Sequence, residues 1–284
     1  MRAHLRELWQ FRELLLSMIE REIRIRYKNS FFGFFWSLLN PLITIAVMTV
    51  VFKYLLGNPM PSFSAYILAG YLPYMFFQLA IMDSAQSVIG ALPVVRKTYF
   101  PREILPLAPI LSNFLHFILA LGVFFVFRLV VWAFNPGAFP LTMNLLWLPL
   151  LLVIQLALTL GVGLIVSALN TFYEDVKYIV GVLLYLLFFV CPIMYFSETV
   201  ANSPVVRENG WIYTAYHANP IAMLCTAYRK ILVPPSRVWV DGQFVDPLPM
   251  DWGMLGLTAG LSVVVLVGGY ALFNRLKSRF VERP

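Results

Sequence analysis

Six long apolar segments constrain this sequence more than any other feature; they span residues 34–56, 65–92, 104–134, 143–170, 178–196 and 252–273. Each has about the twenty residues that a helix needs to cross the hydrocarbon core of a bilayer. Helices are favoured here because lipid offers no partner to an unbonded backbone N–H or C=O group. With 60% hydrophobic and 12% charged residues, the composition excludes a soluble domain. The sequence therefore predicts an all-α integral membrane protein with six transmembrane helices.

The residues before the first apolar segment have the pattern of a basic amphipathic helix over positions 5–28. We expect this helix to lie in the headgroup plane of the membrane; a cytosolic arm is the alternative. We do not expect a secretory signal peptide, because the charged region is too long and no small-residue cleavage site follows. The polar side of the helix consists of Arg6, Gln10, Glu13, Ser17, Glu20, Arg21, Arg24 and Lys28. The apolar side consists of Leu8, Phe11, Leu15, Met18, Ile19 and Ile23, interrupted by Arg12, Glu22 and Arg26.

The positions of the basic residues predict which ends of the helices face the cytoplasm. If the N-terminus is inside, the inner segments hold 15 of the 21 lysines and arginines. The outer segments 57–64 and 135–142 hold none. By the positive-inside rule, both termini are therefore cytoplasmic. The same bias accounts for the net charge of +7 without a nucleic acid partner. The inner segments are 1–33, 93–103, 171–177 and 274–284.

The segment 197–251 is the one sizeable part that we expect outside the membrane. Within it, residues 211–233 are almost apolar enough for a seventh span, but several polar or helix-breaking residues disfavour a full crossing. We expect re-entrant or surface helices here, packed on protein, with an ordinary folded loop as the alternative. The disfavouring residues are His217, Asn219, Pro220, Arg229 and Lys230. The chain then divides into an interface helix at 1–33, a transmembrane domain at 34–273 that includes 197–251, and a cytoplasmic tail at 274–284.

No sequence motif for catalysis or metal binding stands out. A phosphate-binding loop, a nucleophile elbow, and the H-E-x-x-H and C-x-x-C patterns are missing from the sequence. The three histidines lack the spacing of metal ligands. Two cysteines, Cys191 and Cys225, are too few for a disulfide framework, and we interpret them as packing residues. Asp83 and Gln86 in the second span either line a polar cavity or form a helix–helix hydrogen bond.

Two short inner loops combine aromatic and charged residues. The first covers residues 94–106, between the second and third spans, and the second covers residues 170–178, between the fourth and fifth. Such loop tips suit docking onto a cytosolic partner. An aromatic belt with topology-determining charges is the alternative.

Four motifs along the chain point to one family. Arg26-Tyr27-Lys28-Asn29-Ser30, followed by Gly33, Trp36 and Pro41, is similar to the pattern R-Y-x-x-S-x-x-G-x-x-W-x-x-x-x-P. With residues 96–103, 172–176 and 191–195, this motif resembles the polysaccharide-exporting ABC permeases, the membrane subunits that export O-antigen, capsular polysaccharide or teichoic acid. In that family 96–103 and 172–176 would be the two coupling segments, and 191–195 the outer end of the fifth span. Glu174 departs from the arginine that the family often has.

The resemblance implies an assembly and a substrate. Family members work as homodimers of six-span permeases bound to two copies of a cytosolic ATP-binding subunit. ATP and Mg²⁺ would be held by that partner, and the chain itself would have no catalytic site, cofactor or metal. The implied substrate is a glycan or polyol-phosphate polymer on undecaprenyl diphosphate. The implied location is the bacterial cytoplasmic (inner) membrane, with membrane lipids around the permease.

The resemblance also implies roles for particular residues. Coupling to the ATPase would involve Arg96, Lys97, Tyr99, Phe100, Arg102, Glu103, Tyr173, Glu174 and Asp175. Contact with the lipid diphosphate would involve Arg21, Arg24, Arg26 and Lys28, with anchoring on anionic lipid as the alternative. Aromatic rings that stack on the C–H faces of sugars would line the channel, with packing or lipid contact as the alternative. These aromatic residues are Phe35, Trp36, Tyr185, Phe188, Phe189 and Tyr195.

Two other classes of function stay open. A permease for small lipids or drugs would share the fold but lack the aromatic channel. A membrane-embedded transferase acting on lipid-linked sugars would need a catalytic carboxylate or histidine in a polar cavity, for which Asp83 and His116 are the candidates.

Overall fold

The chain folds almost entirely into helices, as the sequence predicts. The computed structural model describes residues 2–27, 35–55, 57, 63–95, 97–134, 143–235, 237–240 and 243–281. Its α-helices are α1 (Arg2–Gln10), α2 (Arg12–Tyr27), α3 (Phe35–Thr49), α4 (Phe63–Val95), α5 (Ile104–Phe134), α6 (Leu148–Phe172), α7 (Val176–Val190), α8 (Ser197–Asn202), α9 (Pro204–Glu208), α10 (Trp211–His217), α11 (Pro220–Leu232) and α12 (Trp252–Leu276). A π-helix (Val50–Leu55) extends α3, and 3₁₀ helices precede α6 (Met143–Trp147) and follow α12 (Lys277–Val281). Two strands, β1 (Val238–Val240) and β2 (Gln243–Val245), form an antiparallel hairpin.

The N-terminal amphipathic segment forms two helices in place of the single one predicted. They meet at Phe11, whose N–H donates to the Glu7 carbonyl at 3.2 Å, while the Leu15 N–H donates to the Phe11 carbonyl at 3.0 Å. The helical hydrogen-bond pattern therefore continues across the break. The predicted faces are confirmed, because Ile19 is buried where α2 packs against α5. The described polar-side residues, Arg6, Gln10, Glu13, Ser17, Glu20, Arg21 and Arg24, are all exposed.

Four of the described helices are long and apolar enough to cross a membrane, namely those at Phe63–Pro93, Ile104–Phe134, Met143–Phe172 and Trp252–Phe280. The apolar helices in the first and fifth predicted spans are shorter, at Leu42–Leu55 and Val176–Val190. Helix length therefore confirms four of the six predicted spans.

The fifth predicted span was placed too far along the chain at its outer end. Its helix, α7, ends at Val190, and Cys191 is extended at φ −75° and ψ 147°. Pro192 explains this end, because proline has no N–H to donate and disfavours helical backbone at the preceding residue. The 15 residues of α7 rise about 22 Å, less than the thickness of a hydrocarbon core.

The connections between the helices gather at two opposite ends of the bundle. One end, which we call the inner end, holds α1, α2, the loop at 97–103, the loop at 173–175 and the residues after α12. The other, which we call the outer end, holds the start of α4, the residues before α6 and the whole of 191–252. α4 lies in the middle of the bundle and contacts α3, α5, α6, α7 and α11.

The helices α6 and α12 are in direct backbone contact at Gly161 and Gly269. A Cβ atom on Gly269 would lie 2.4 Å from the Gly161 carbonyl oxygen, and one on Gly161 would lie 2.6 Å from the Leu266 nitrogen. Close packing of this kind drives helix association in lipid, where apolar side chains gain nothing by leaving the hydrocarbon. These two glycines therefore set the distance between α6 and α12.

Residues 191–252, which we call the outer region, fold around α11, which is buried along most of its length. Residues 221–229 are all buried, and α11 packs against α4, α6 and α12. Asn219 caps the helix, since its Oδ1 accepts a hydrogen bond from the Ile221 N–H at 3.1 Å, and Pro220 occupies the first turn. The prediction of helices packed on protein is confirmed. The β1–β2 hairpin was not predicted.

Candidate functional site

The first inner loop is held on one side by α1 and on the other by the residues after α12. The Tyr99 hydroxyl donates to Glu7 Oε1 at 2.8 Å, and this hydrogen bond, together with the charge of Glu7, raises the pKa of Tyr99. Lys277 Nζ lies 2.5 Å from Glu103 Oε1. Arg102 Nη1 donates to the Lys277 carbonyl. The loop is thereby fixed relative to both ends of the described chain.

The loop residues assigned to ATPase coupling divide into surface and internal positions. Lys97 and Tyr99 are exposed. Glu103 is only 1% exposed and Arg102 is half-buried. The contacts of Glu103 and Arg102 with Lys277 give them a positioning role that the sequence did not reveal, and partner contact stays a prediction for the loop. Arg96 lies outside the described residues.

The second inner loop is anchored by Asn170, a buried residue at the end of α6. Its Nδ2 donates to the Ala85 carbonyl on α4 at 2.7 Å, and its Oδ1 accepts from the Lys177 N–H at 3.0 Å. Sequence reasoning missed Asn170, although a polar residue just before a loop between two spans is a signal for such an anchor. The three residues at the loop tip are exposed: Tyr173, Glu174 and Asp175.

Both inner loops rest on one small core at the inner end. Phe100 of the first loop and Phe172 at the start of the second pack with Phe273 and Phe280. The ring centroids of Phe172 and Phe280 lie 5.7 Å apart, and those of Phe273 and Phe280 lie 5.4 Å apart. Both loops therefore contact the same core, which includes Phe273 of α12. Sequence reasoning missed Phe280, which lies in the segment interpreted as a basic tail.

A cavity of about 810 Å³, which we call the inner cavity, lies between α2, α4, the first inner loop and the start of α5. Its polar wall includes Arg21 and Glu22 from α2 and Asp83 and Gln86 from α4. Asn113 Nδ2 on α5 donates to Asp83 Oδ2 at 2.8 Å. Asp83 therefore lines a cavity and also joins two helices, so both interpretations of this residue hold. The apolar wall includes Phe11, Leu14, Met18, Ile25, Leu105 and Pro109.

Of the four basic residues assigned to the lipid diphosphate, Arg21 lines the inner cavity and Arg24 is not among its lining residues. Arg21 Nη2 lies 3.3 Å from Glu22 Oε1. Arg24 is exposed and pairs with Glu20 at 2.5 Å one helical turn away. The side chain of Arg26 and the whole of Lys28 lie outside the described residues.

The aromatic residues assigned to the channel also divide into two groups. Tyr185 and Phe189 are 61% and 50% exposed on α7, with ring centroids 5.3 Å apart. Phe188 instead faces α4, where its ring lies 5.5 Å from that of Tyr74. The Tyr195 hydroxyl lies 2.6 Å from the Val190 carbonyl and 3.0 Å from the Tyr216 hydroxyl. Tyr195 therefore provides a hydrogen-bond donor to the last carbonyl of α7. The side chains of Phe35 and Trp36 lie outside the described residues.

Arg229 on α11 joins the outer region to the transmembrane bundle. Its guanidinium is 2% exposed and lies 4.1 Å from the centre of the Tyr66 ring. It donates to the Tyr66 carbonyl at 3.1 Å, to the Tyr195 carbonyl at 3.0 Å and to the Ile193 carbonyl. Gly70 leaves room for it, since a Cβ there would lie 2.7 Å from Arg229 Nε. The sequence marked Arg229 only as unfavourable for a membrane crossing, whereas the structure makes it the anchor of residues 191–195.

The fold and the inner end define a class of protein. Apolar helices that can cross a membrane, an amphipathic helix beside them and exposed loop tips at one end are typical of a multi-pass membrane permease. Within the described ranges, no group of three or more His, Cys, Asp or Glu side chains could hold a metal ion. Residues 13–233 match the profile of the ABC-2 type transporter family, and the chain belongs to this family.

Several characterised proteins are similar to the chain over most of its length. The O-antigen export system permease protein RfbA of Klebsiella pneumoniae is 27% identical over 271 residues, which cover 95% of this chain and 94% of the relative. The protein of the same name from Myxococcus xanthus is 28% identical over 277 residues, covering 98% and 97%. The polysialic acid transport protein KpsM of Escherichia coli is 24% identical over 217 residues, covering 75% and 79%.

Proposed function

We propose that this chain is the membrane subunit of an ATP-driven exporter that moves a polysaccharide on undecaprenyl diphosphate across the bacterial cytoplasmic membrane. The observation that carries the proposal is the inner end of the bundle. Two exposed loop tips, the amphipathic helices and the inner cavity lie together there, in a chain similar to O-antigen and polysialic acid transport proteins. The substrate and the ATPase partner are part of the proposal.

ATP hydrolysis would take place on two copies of a cytosolic partner that binds ATP and Mg²⁺. The partner would contact the exposed tips, Lys97 and Tyr99 in the first loop and Tyr173, Glu174 and Asp175 in the second. Movement of the tips would reach the spans through the core that joins Phe100, Phe172 and Phe280, because packed side chains transmit displacement. The coupling path is thus a set of contacts within the inner end.

The inner cavity would receive the head of the lipid-linked substrate. The guanidinium of Arg21 suits a diphosphate, to which arginine can donate two parallel hydrogen bonds. The carboxylate of Asp83 and the amide of Gln86 line the cavity from α4 and suit sugar hydroxyls, which donate to such groups. We expect the diphosphate beside Arg21 on α2, where the carboxylate of Glu22 would have to turn away, and the first sugars beside α4. The apolar wall suits the lipid chain.

A second copy of the chain would complete the transport path. The outward side of α7 is apolar and exposed, with Val182, Leu186 and the Tyr185–Phe189 pair along it. An exposed apolar helix face in a membrane protein contacts either lipid or another subunit. In the proposed homodimer this face lies beside the path, where Tyr185 and Phe189 stack on passing sugar rings.

Reconstitution with the cognate ATP-binding subunit from the same organism tests the proposal. We expect the chain alone to hydrolyse no ATP, and the complex to hydrolyse ATP and export polymer. Tyr99→Ala and Tyr173→Ala should lower both activities. Tyr54→Ala, an exposed tyrosine beyond α3, serves as the matched control and should change neither. ATP hydrolysis by the purified chain above contaminant controls would refute the subunit role.

Cysteine labelling tests the orientation, in which both termini are cytoplasmic and 197–251 is external. In a background where Cys191 and Cys225 are alanine, a membrane-impermeant maleimide should modify Glu208→Cys in sealed cells. Ser278→Cys should react only after the membrane is opened. Labelling of Ser278→Cys in sealed cells would reverse the assignment of the inner and outer ends.

A further inference from the structure

A second cavity, of about 220 Å³, lies at the outer end and takes no part in the proposed coupling or substrate uptake. We call it the outer cavity. It lies where the start of α4, the 3₁₀ helix before α6, α8, α11 and the start of α12 meet. The lining residues that matter for its chemistry are Tyr66, Asn144, Trp147, Glu198, Lys230 and Trp252.

Two tryptophans provide the aromatic part of the outer cavity. The ring centroids of Trp147 and Trp252 lie 4.7 Å apart with an interplanar angle of 57°. Each ring is about half exposed, at 46% and 49%. The rings therefore support each other and still leave surface that a ligand can cover. Tryptophans at the outer ends of two spans also suit an aromatic belt, so the polar groups of the cavity decide between the two roles.

The polar groups of the outer cavity have opposite charges and are partly buried. Glu198 is 3% exposed, and its carboxylate accepts from the Leu248 N–H at 3.2 Å and from Ser197 Oγ at 3.1 Å. Lys230 Nζ donates to the Pro249 carbonyl at 2.7 Å. A belt tryptophan needs no buried carboxylate beside it. A ligand pocket typically has an apolar or aromatic wall with a few placed polar groups, and this is what the outer cavity has.

The hydrogen-bonding groups of the cavity suit a neutral ligand rich in hydroxyl groups. Glu198 opposes the charge of Lys230, and the guanidinium of Arg229 donates to three backbone carbonyls. A sugar ring offers an apolar C–H face for an indole ring, and hydroxyls that donate to a carboxylate and accept from an ammonium or amide group. The volume is below the roughly 300–1,000 Å³ of pockets for drug-sized ligands, which suits a single ring.

We propose that the outer cavity binds one sugar ring of the polymer as the polymer leaves the transporter. This inference rests on the proposed function and gives it a second, external contact with the same substrate class. The ring stacks on Trp147 and Trp252, and its hydroxyls bond to Glu198, Lys230 and Asn144. A weak site of this kind slows the return of the emerging chain and releases it as the next ring follows.

Saturation-transfer NMR on the purified chain in nanodiscs tests this site. The probe is the oligosaccharide released by mild acid from the lipid-linked polymer of the host. With wild-type protein we expect saturation of sugar C–H protons. In Trp147→Leu and Trp252→Leu, affinity should fall about tenfold, the scale of one lost aromatic stacking contact. Trp211→Leu, a tryptophan of the outer region that is 69% exposed and outside the cavity wall, should bind like wild type.

The possible outcomes distinguish a sugar-binding site from an aromatic belt, and they test the sugar site and the proposed function independently. Asn144→Ala removes an exposed polar group of the cavity with little effect on folding, and it should also weaken binding. Equal saturation transfer in all variants, or none with folded wild-type protein, overturns the sugar site. If wild type still exports polymer in that case, the proposed function stands. Transfer in wild type without any export of polymer refutes the proposed function instead.

Discussion

Lys277 and Glu103 form an ion pair that ties the residues after α12 to the first inner loop, with Lys277 Nζ 2.5 Å from Glu103 Oε1. The side chain of Glu103 is 1% exposed and that of Lys277 is 22% exposed. Both charges are largely removed from water, so each depends on the other for its solvation. Lys277–Val281 is therefore part of the structure of the inner end.

Breaking this pair should destabilise the inner end. Glu103→Gln or Lys277→Gln leaves one buried charge without its partner, at about 1–3 kcal/mol. The double variant should recover part of the loss, because it leaves no unpaired charge. Thermal unfolding of the four proteins, treated as a double-mutant cycle, measures the coupling. As a control, Glu20→Gln at the exposed pair with Arg24 should change stability by less than about 0.5 kcal/mol. Additive effects of Glu103→Gln and Lys277→Gln would contradict the pairing.

Adding one methyl group to the α6–α12 contact should separate these helices. In Gly161→Ala the new Cβ would meet backbone atoms of Val265 and Leu266 at 2.6 Å, and backbone cannot rotate away as a side chain can. We expect a loss of about 1–3 kcal/mol and less folded protein in the membrane. Gly268→Ala is the matched control in α12, because a Cβ there meets nothing within 4 Å. Equal abundance and unfolding midpoints for the two variants would disprove the close approach.

Removing the hydrogen bonds that anchor the second inner loop should lower ATP hydrolysis by the complex more than it lowers the amount of folded protein. Asn170→Ala removes the hydrogen bonds to the Ala85 carbonyl and the Lys177 N–H, a loss of about 1–3 kcal/mol. We expect lower ATP hydrolysis by the reconstituted complex, because the tip at 173–175 is then poorly positioned. Asn202→Ala at the outer end, which removes a hydrogen bond to the Glu198 carbonyl, should leave the hydrolysis rate unchanged. A normal rate in Asn170→Ala would show that the loop needs no such anchor.

The aromatic residues of α7 should respond to truncation according to their exposure. Tyr185→Ala and Phe189→Ala should reduce export and leave the amount of folded protein unchanged, since both rings are at least half exposed. Phe188→Ala should lower abundance, because its half-buried ring packs between Tyr71 and Tyr74; the cost should be below the roughly 3–5 kcal/mol of a fully buried phenylalanine. Export and membrane abundance are measured on the same cells. A parallel fall of both in Tyr185→Ala would make that residue a packing residue.

The outer region should lose stability in mild acid through His217. Burial lowers the pKa of His217, and Lys230 lowers it further, against the opposing effects of the Tyr213 carbonyl, Asp251 and Glu198. The unfolded chain then binds more protons than the folded one, so stability is complete above about pH 6.5 and falls as the pH drops towards the folded pKa. His217→Gln should reduce the difference in unfolding midpoint between pH 7.5 and 5.5 by about 2–4 °C. An unchanged difference would rule out His217 as the titrating group.

Much of the helical architecture could be predicted from local properties of the sequence. The third span matches α5 residue for residue, since apolar length alone defines it. The faces of α2 follow from a 3.6-residue period, and Ile19 is buried as that period requires. The prediction failed at the end of α7, where the backbone preference around Pro192 outweighed a continuous apolar run. The β1–β2 hairpin was missed because its strands have only three residues each.

Within the candidate site, the sequence predicted which segments contact a partner, but it did not reveal the internal contacts of each side chain. Lys97, Tyr99 and Tyr173 are at the surface, as docking residues must be. Glu103 belongs to the same motif, yet it is buried against Lys277, which lies 174 residues further along the chain. A polar residue in a loop looks the same in sequence whether its partner is a second protein or a distant part of its own chain.

The sequence by itself determined that this is a helical membrane protein, where its main spans lie and which side of its N-terminal helix is apolar. These properties depend on composition and short-range periodicity, because lipid requires each spanning segment to satisfy its own backbone. Only the tertiary structure decided which residues meet: Arg229 with the carbonyls of 193 and 195, Gly161 with Gly269, and Trp147 with Trp252. Such contacts join residues far apart in the chain, and they depend on the packing of whole helices, which no local pattern records.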